Sequence, residues 1–190
     1  MKISQRSARS LNPGSSDHVD QVREQWRAVR PDLDTWPVGI VARVGRLAAY
    51  FDEAVNDLMR RYGLARSSWD VLASLRRAGP PYELSPTQLY RGLMRTSGAM
   101  TNRLRRLEDA GLIERVPDPE DGRGLRVRLS PAGLRLVDDL AQLHMNNEAQ
   151  LLAELKPSEV RQLEGLLRRL LIGLERSRPG PPEDRRGAAP

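Results

Sequence analysis

The sequence contains no cysteine and only two histidines, His18 and His144. The lack of cysteine excludes disulfides, thiolate nucleophiles and cysteine-ligated metals. Two histidines are too few for the usual acid–base constellations, and the chain has neither a P-loop nor a G-x-S-x-G motif. We therefore predict that the protein is not an enzyme and that it uses no metal or other cofactor.

Long apolar runs are also lacking. No stretch approaches the length of a bilayer span, and the N-terminal MKISQRSARSLNPGSS has no apolar core of the kind found in signal peptides. We expect a cytoplasmic protein without membrane partners. Lysine is scarce too, since only Lys2 and Lys156 accompany the arginines among the 31 basic residues. The net charge of +6 favours an anionic partner, although a GC-rich genome would also enrich arginine.

The 190 residues, of which 39% are hydrophobic, suffice for one domain or for two small lobes. The predicted fold is mostly α (α+β): a winged helix-turn-helix with a long-helix dimerisation region from both termini. We predict a disordered tail over 1–16, N-terminal helices over 17–66, the winged helix-turn-helix over 67–129, C-terminal dimerisation helices over 130–175 and a disordered tail over 176–190.

Polar residues placed before apolar helical patterns predict where the helices start. Asp17 is a candidate capping acid, and Ser85 and Ser130 each precede a proline, which is tolerated at the first helical position. Ser67 is read as the cap of a helix in which Asp70 completes a capping box. The helix after Ser130 is expected to run to about residue 155. The segments LIERV and LRVRLS alternate apolar and charged residues and predict a β-hairpin.

The long helical segments on either side of this lobe carry continuous apolar stripes. One segment covers about residues 37–62 and the other follows KPSEV near the C-terminus. A lobe this small cannot bury both stripes, so packing against a second copy is the economical solution. We predict a homodimer.

The stretch TNRLRRLEDAGLIER, residues 101–115, contains four arginines with two different placements. With a helix over 97–110 and about 100° per residue, Met100, Leu104 and Leu107 form one buried stripe. Small, polar and cationic residues lie opposite, as suits a helix that enters the major groove of DNA. The residues that we predict to contact DNA are Arg95, Ser97, Gly98, Thr101, Asn102, Arg105, Arg106 and, at the tip of the hairpin, Arg123. Solvated surface charge is the alternative for Arg105 and Arg106.

Arg103 and Arg115 do not belong to this outward face. Arg103 projects beside the buried stripe, where an arginine either covers the core with its stem, contacts phosphate or has a separate role. Arg115 ends the strand LIER, twelve residues later. Geometry alone leaves these alternatives open.

The segment SGAMTNRLRRLEDAGLIERVPDPEDGRGLRVRLSPAGLRLV resembles the recognition helix, wing and following helix of MarR-family transcriptional regulators. More narrowly, WRAVRPDLDTWPVGIVARVGRL is similar to the branch that contains PecS and the urate-responsive regulators. The resemblance implies a ligand site of Trp26, Asp70, Arg103 and Arg115. Helix capping is the alternative for Asp70, and core or dimer packing is the alternative for Trp26.

Together these features predict a homodimeric repressor that a small anionic, aromatic-like ligand releases from a pseudo-palindromic operator. Guanidinium groups and an indole ring suit urate, another purine or a phenolic carboxylate. A constitutive DNA-binding protein, or an activator without a small-molecule ligand, is the alternative function.

Overall fold

Seven helices and three short strands occupy residues 16–93, 97–119 and 124–177, the parts of the chain that the computed structural model describes. In chain order they are α1 (His18–Val29), α2 (Trp36–Arg60), α3 (Arg66–Arg77), β1 (Glu83–Leu84), α4 (Pro86–Leu93), α5 (Ser97–Asp109), β2 (Ile113–Pro117), β3 (Leu125–Leu129), α6 (Pro131–Leu151) and α7 (Pro157–Ser177). The chain divides into two units after Trp69, within α3.

The first unit contains α1, α2 and the first turn of α3. Asp17 caps α1: its side chain accepts hydrogen bonds from the backbone N–H groups of Val19 (2.8 Å) and Asp20 (3.0 Å). The Asp20 carboxylate in turn accepts from the backbone N–H of Asp17, which completes a capping box. The prediction of a capping acid at this position is confirmed.

The predicted cap of α3 is wrong. The carbonyl of Ala65 accepts hydrogen bonds from the backbone N–H groups of Ser68 (2.9 Å) and Trp69 (3.1 Å), so the helix begins before Ser67. The reason lies in the preceding turn. Gly63 has a positive φ of 70°, and the backbone N–H of the buried Leu64 donates a hydrogen bond to the carbonyl of Met59. This turn ends at Leu64, so the next helix can begin at once.

The second unit contains a three-stranded antiparallel sheet in the order β1-β3-β2. Strands β2 and β3 form the predicted hairpin, with Ile113 opposite Leu129 and Pro117 opposite Leu125. Buried residues from the helices and the sheet form its core, namely Val71, Leu72, Leu75, Leu89, Met100, Leu104, Leu107, Ile113, Val127, Leu129, Val137 and Leu140. The predicted winged helix-turn-helix within a mostly helical chain is confirmed.

Helix α6 starts at the predicted cap, because the Ser130 hydroxyl accepts from the backbone N–H of Gly133 at 3.0 Å. It ends at Leu151 rather than near residue 155. After Leu151 the backbone hydrogen bonds join residues three apart, as in the tighter turns that end a helix. Pro157 in turn disfavours helical geometry in the residue that precedes it. No helix in the described ranges is long and apolar enough to cross a membrane.

Helix α7 has no buried residue, although one of its sides is rich in leucine. Its exposed large apolar residues are Leu163, Leu166, Leu167, Leu170, Leu171, Ile172 and Leu174. In α2 the apolar residues Trp36, Ile40, Val41, Val44, Leu47 and Tyr50 are exposed as well. Exposed apolar patches on this scale mark interaction surfaces.

The start of α6 lies directly against the turn that joins α5 to β2. Gly133 is buried there, and a Cβ atom on this residue would lie 2.0 Å from the carbonyl oxygen of Leu112. The Ser130 hydroxyl donates to the carbonyl of Gly111 at 2.6 Å, and the Ser130 N–H donates to the carbonyl of Leu112 at 3.1 Å. These contacts fix the end of α5, the base of the hairpin and the start of α6 to one another.

We expect Gly133→Ala to lower the free energy of unfolding by about 1–3 kcal/mol, because the added methyl group meets rigid backbone. Gly165→Ala is the matched control, since a Cβ at Gly165 has no neighbour within 4 Å. Replacing a glycine at such an open helical position is expected to stabilise by about 0.4–1 kcal/mol. Urea unfolding at one fixed protein concentration measures both changes. A shift of the same sign in the two variants would contradict the contact with Leu112.

Candidate DNA-binding surface and anion site

Helix α5 is the second helix of the helix-turn-helix, and α4 is the first. Helix α4 begins with a reciprocal cap: the Ser85 hydroxyl accepts from the Gln88 N–H at 3.2 Å, and the Gln88 side-chain oxygen accepts from the Ser85 N–H at 2.8 Å. Leu89 follows and is fully buried. The first helix is thus fixed at its start by the cap and along its length by a core side chain.

Helix α5 has one buried side and one exposed side. Met100, Leu104 and Leu107 are 3–4% exposed. Among the residues that the helical projection places on or beside the outward face, those whose burial is described are exposed, namely Thr101, Asn102, Arg105 and Arg106. The outward surface combines a hydroxyl, an amide and two guanidinium groups, which can donate hydrogen bonds to base edges and phosphates.

The remaining residues of the predicted DNA-contacting set are only partly within the described chain. Ser97 and Gly98 belong to the first turn of α5, but their side chains lie outside the described residues. Arg95 and the hairpin-tip residue Arg123 lie outside them altogether.

Arg103 lies against the buried side of α5. Its side chain is half-buried, and its Nη1 atom is 4.0 Å from the sulfur of Met100. This position agrees with the projection, which separates Arg103 from Arg105 and Arg106 on the outward side.

Arg115 is directed back towards α5 by the register of the hairpin. It lies opposite the buried Val127, on the same side of β2 as the buried Ile113. Its Nε atom donates to a carboxylate oxygen of Glu108 at 3.0 Å, and the two side chains are 39% and 38% exposed. Glu108 was not among the predicted site residues, although it is the first acid after the acid-free stretch of 95–107.

Asp70 lies on α3, in the second unit. Its side chain is half-buried, and its backbone carbonyl accepts from the hydroxyl of Ser74 at 2.8 Å. Because α3 begins at Arg66, Asp70 is the fifth residue of the helix and is too far from the start to complete a capping box. The capping alternative is therefore wrong, and a role for the carboxylate in a binding site remains.

Trp26 lies on α1, in the first unit, and is 45% exposed. Helix α1 is attached to α2 by charged contacts that were not predicted from the sequence. Arg43 binds both acids at the start of α1, with its Nε 2.7 Å from the carboxylate of Asp17 and its Nη2 2.8 Å from that of Asp20. Gly39 leaves room for Arg23, because a Cβ at this glycine would lie 3.3 Å from the Arg23 Nη1.

The hydrogen bonds from Arg43 lower the pKa values of the Asp17 and Asp20 carboxyl groups. In the second unit, the hydrogen bond from Arg76 to Asp138, at 2.7 Å, raises the pKa of the guanidinium. Both pairings favour the charged forms, and each joins two different helices. No cluster of three or more acidic or histidine side chains suited to a metal ion occurs within residues 16–93, 97–119 and 124–177.

Comparison with known proteins gives a consistent set of matches. Residues 62–124 match the model of the MarR family. The transcriptional regulator PecS of Dickeya dadantii is 35% identical over 152 residues, which cover 80% of this chain and 92% of PecS. The multiple antibiotic resistance protein MarR of Salmonella typhimurium is 34% identical over 125 residues, covering 63% of this chain and 82% of that protein. A crystal structure of a variant of Escherichia coli MarR complexed with operator DNA superposes with a TM-score of 0.63 at 26% identity, covering 77% of this chain and 97% of that one.

The contacts of Arg43 predict an acid-dependent contribution to stability. A carboxyl group whose pKa is lowered by folding stabilises the native state above the ordinary value of 3.8, and this contribution is lost as the pH falls through the lowered value. We expect Arg43→Gln to melt at a lower temperature than the wild type near neutral pH. The difference in melting temperature between the two proteins should shrink towards zero as the pH falls below 3.8.

Arg46→Gln is the control, because the Arg46 guanidinium lies near the hydroxyl of Tyr50 at 3.4 Å, on the same helix. Its effect on the melting temperature should not depend on pH over this range. Thermal unfolding followed by circular dichroism in a series of buffers measures both variants. A pH-independent difference for Arg43→Gln would show that Asp17 and Asp20 are not the groups responsible.

Proposed function

The chain belongs to the MarR family of transcriptional regulators, and on this premise we propose that it is a homodimeric repressor that releases its operator when it binds a small anion. Its relatives regulate transcription and are not enzymes. The observation that carries the proposal is the division of α5 into a buried apolar side and an exposed side of Thr101, Asn102, Arg105 and Arg106.

This exposed side has the chemistry of a recognition helix. Arginine forms paired hydrogen bonds with guanine or phosphate, and asparagine forms paired hydrogen bonds with adenine. Residues 95–107 contain four arginines and no acid, so nothing in this stretch repels the phosphate backbone. The MarR complex with operator DNA has the same fold, which supports a similar use of α5.

The uncovered apolar sides of α2 and α7 support a homodimer. Their exposed residues would be costly to leave in water, and a second copy of the chain offers an identical set. A two-fold symmetric dimer reads two half-sites about one helical turn apart, or ~10 bp, so the operator should be a pseudo-palindrome.

The ligand site that we propose consists of Trp26, Asp70, Arg103 and Arg115. Arg103 lies beside Met100, against the buried side of α5, and Arg115 lies beside Glu108, in the last turn of that helix. We propose that these two arginines bind the anion while Thr101, Asn102, Arg105 and Arg106 contact DNA. Guanidinium groups bind planar anions through paired, charge-assisted hydrogen bonds, and an indole offers a stacking surface. Urate, another purine or a phenolic carboxylate has this chemistry.

In the proposed mechanism the ligand shifts a population of conformations. The anion binds Arg103 and Arg115 and changes the surroundings of Asp70, so that conformations with the recognition helices at the wrong spacing become favoured. Coupling between two such sites is typically about 1–3 kcal/mol. We therefore expect a weakening of operator binding by a factor of roughly 5–150 rather than its abolition.

We expect Arg105→Ala to weaken operator binding by about 1–3 kcal/mol, because the exposed guanidinium is placed to contact a base or a phosphate. Fluorescence anisotropy with a duplex selected by the wild-type protein from a random library gives the affinity at several salt concentrations. Arg135→Ala, which removes an exposed arginine of α6, is the control for the loss of one positive charge. Equal affinities for the two variants would contradict the assignment of Arg105.

The ligand site is tested by titrating urate into the complex of protein and operator. We expect urate to release the wild-type protein and to have little effect on Arg103→Ala or Asp70→Asn, because each variant lacks a charged group of the site. Asp139→Asn, at an exposed position of α6, is the control for the loss of a carboxylate. Wild-type sensitivity in both site variants would overturn the assignment. The melting temperature of the protein is also measured with a series of purines and phenolic carboxylates. If none of them raises it, a DNA-binding protein without a ligand is favoured.

A further inference from the structure

We propose that Glu108 is an internal competitor for the anion site, and that ligand binding weakens operator binding by taking Arg115 away from this carboxylate. The inference rests on the proposed function, since it assigns a role to Arg115 in ligand binding and to α5 in DNA binding. It adds a residue that couples the two sites and a physical reason why an anion would lower the affinity for DNA.

The position of Glu108 makes its charge unfavourable for DNA binding. It lies in the last turn of α5, directly before Asp109, and it follows the acid-free stretch that carries Arg105 and Arg106. A carboxylate at the C-terminal end of a helix opposes the helix dipole. On a recognition helix it also repels the phosphates of the bound duplex. A nearby cation is needed to offset both effects.

Arg115 supplies this cation from the neighbouring strand. The pairing of Arg115 with Val127 directs its side chain towards α5, where its Nε lies 3.0 Å from the Glu108 carboxylate. The ion pair is about 38–39% exposed on each side. Pairs this exposed are weak, so an anion that binds Arg115 from solvent replaces the carboxylate at little cost.

The replacement changes charge and requires no change in the backbone between Glu108 and Arg115. The hydrogen bonds of Ser130 hold the carbonyls of Gly111 and Leu112, which lie between Glu108 and Arg115 in the chain. When an anion takes over the guanidinium, Glu108 becomes an uncompensated negative charge at the end of the recognition helix, and the bound anion adds its own. Both weaken the attraction of this end of α5 for operator phosphates.

The first experiment needs no ligand. Operator affinity is measured by fluorescence anisotropy for the wild type, Arg115→Gln, Glu108→Gln and the double variant, at several salt concentrations. We expect Arg115→Gln to mimic the ligand and to bind the operator about two- to fivefold more weakly, with most of this loss recovered in the double variant. Arg115→Lys keeps the charge and should bind the operator nearly as the wild type does. The loss should shrink at high salt, because it arises from exposed charges.

The neighbouring ion pair of Glu114 and Arg128 provides the matched control. It also joins a carboxylate and a guanidinium on the hairpin, at 3.1 Å, with side chains 45% and 40% exposed. In the same double-mutant comparison, the effects of Glu114→Gln and Arg128→Gln on operator affinity should add without coupling. If Glu108→Gln raises affinity equally with and without Arg115, or if the control pair shows the same coupling, the inference is overturned.

A second arm uses urate as the probe. Glu108→Gln should bind urate about two- to fivefold more tightly than the wild type, since Arg115 has no internal partner to give up. Urate should also release Glu108→Gln from the operator less effectively. If urate releases the wild type and Glu108→Gln to the same extent, the role of Glu108 is refuted while the proposed function stands. If the wild type selects no duplex from the library, the proposed function itself fails.

Discussion

The requirement that α5 bury a narrow apolar stripe determines how the rest of the lobe is arranged. Met100, Leu104 and Leu107 lie in the core, so every other side chain of the helix has a fixed direction relative to it. Arg105 and Arg106 are directed to solvent, and Arg103 lies beside the stripe. Of three arginines within four positions, two are thereby exposed to solvent and one lies against the core. A run of basic residues is often interpreted as one electrostatic patch, but burial of the apolar stripe places these arginines on different sides of the helix.

The features that the sequence predicts well are those whose cause is local. Asp17 and Ser130 cap their helices through hydrogen bonds to residues two or three positions away, and the alternation of the hairpin follows from the two-residue period of a strand. The cap predicted at Ser67 is wrong for a related reason. The burial of Leu64 and the turn at Gly63 set the start of that helix, and neither is visible in the polar residues that usually mark one.

Contacts between distant residues could not be predicted in the same way. Arg43 reaches Asp17, which lies 26 residues earlier at the start of another helix. Arg115 meets Glu108 only because a turn and a strand register bring them together. In an arginine-rich chain each guanidinium has many possible partners, so spacing alone cannot select one. Of the candidate ligand residues, the surroundings of Arg103 were foreseen by helical projection, whereas the partner of Arg115 required the fold.

The contact between Gly133 and Leu112 also limits how a chain of this design can change in evolution. One extra residue in the turn after α5 would move the Leu112 carbonyl away from Gly133 and break its hydrogen bond with Ser130. An insertion or deletion at this junction would therefore break these contacts. Substitutions on the exposed side of α5, in contrast, change what the helix presents to solvent and leave this contact intact.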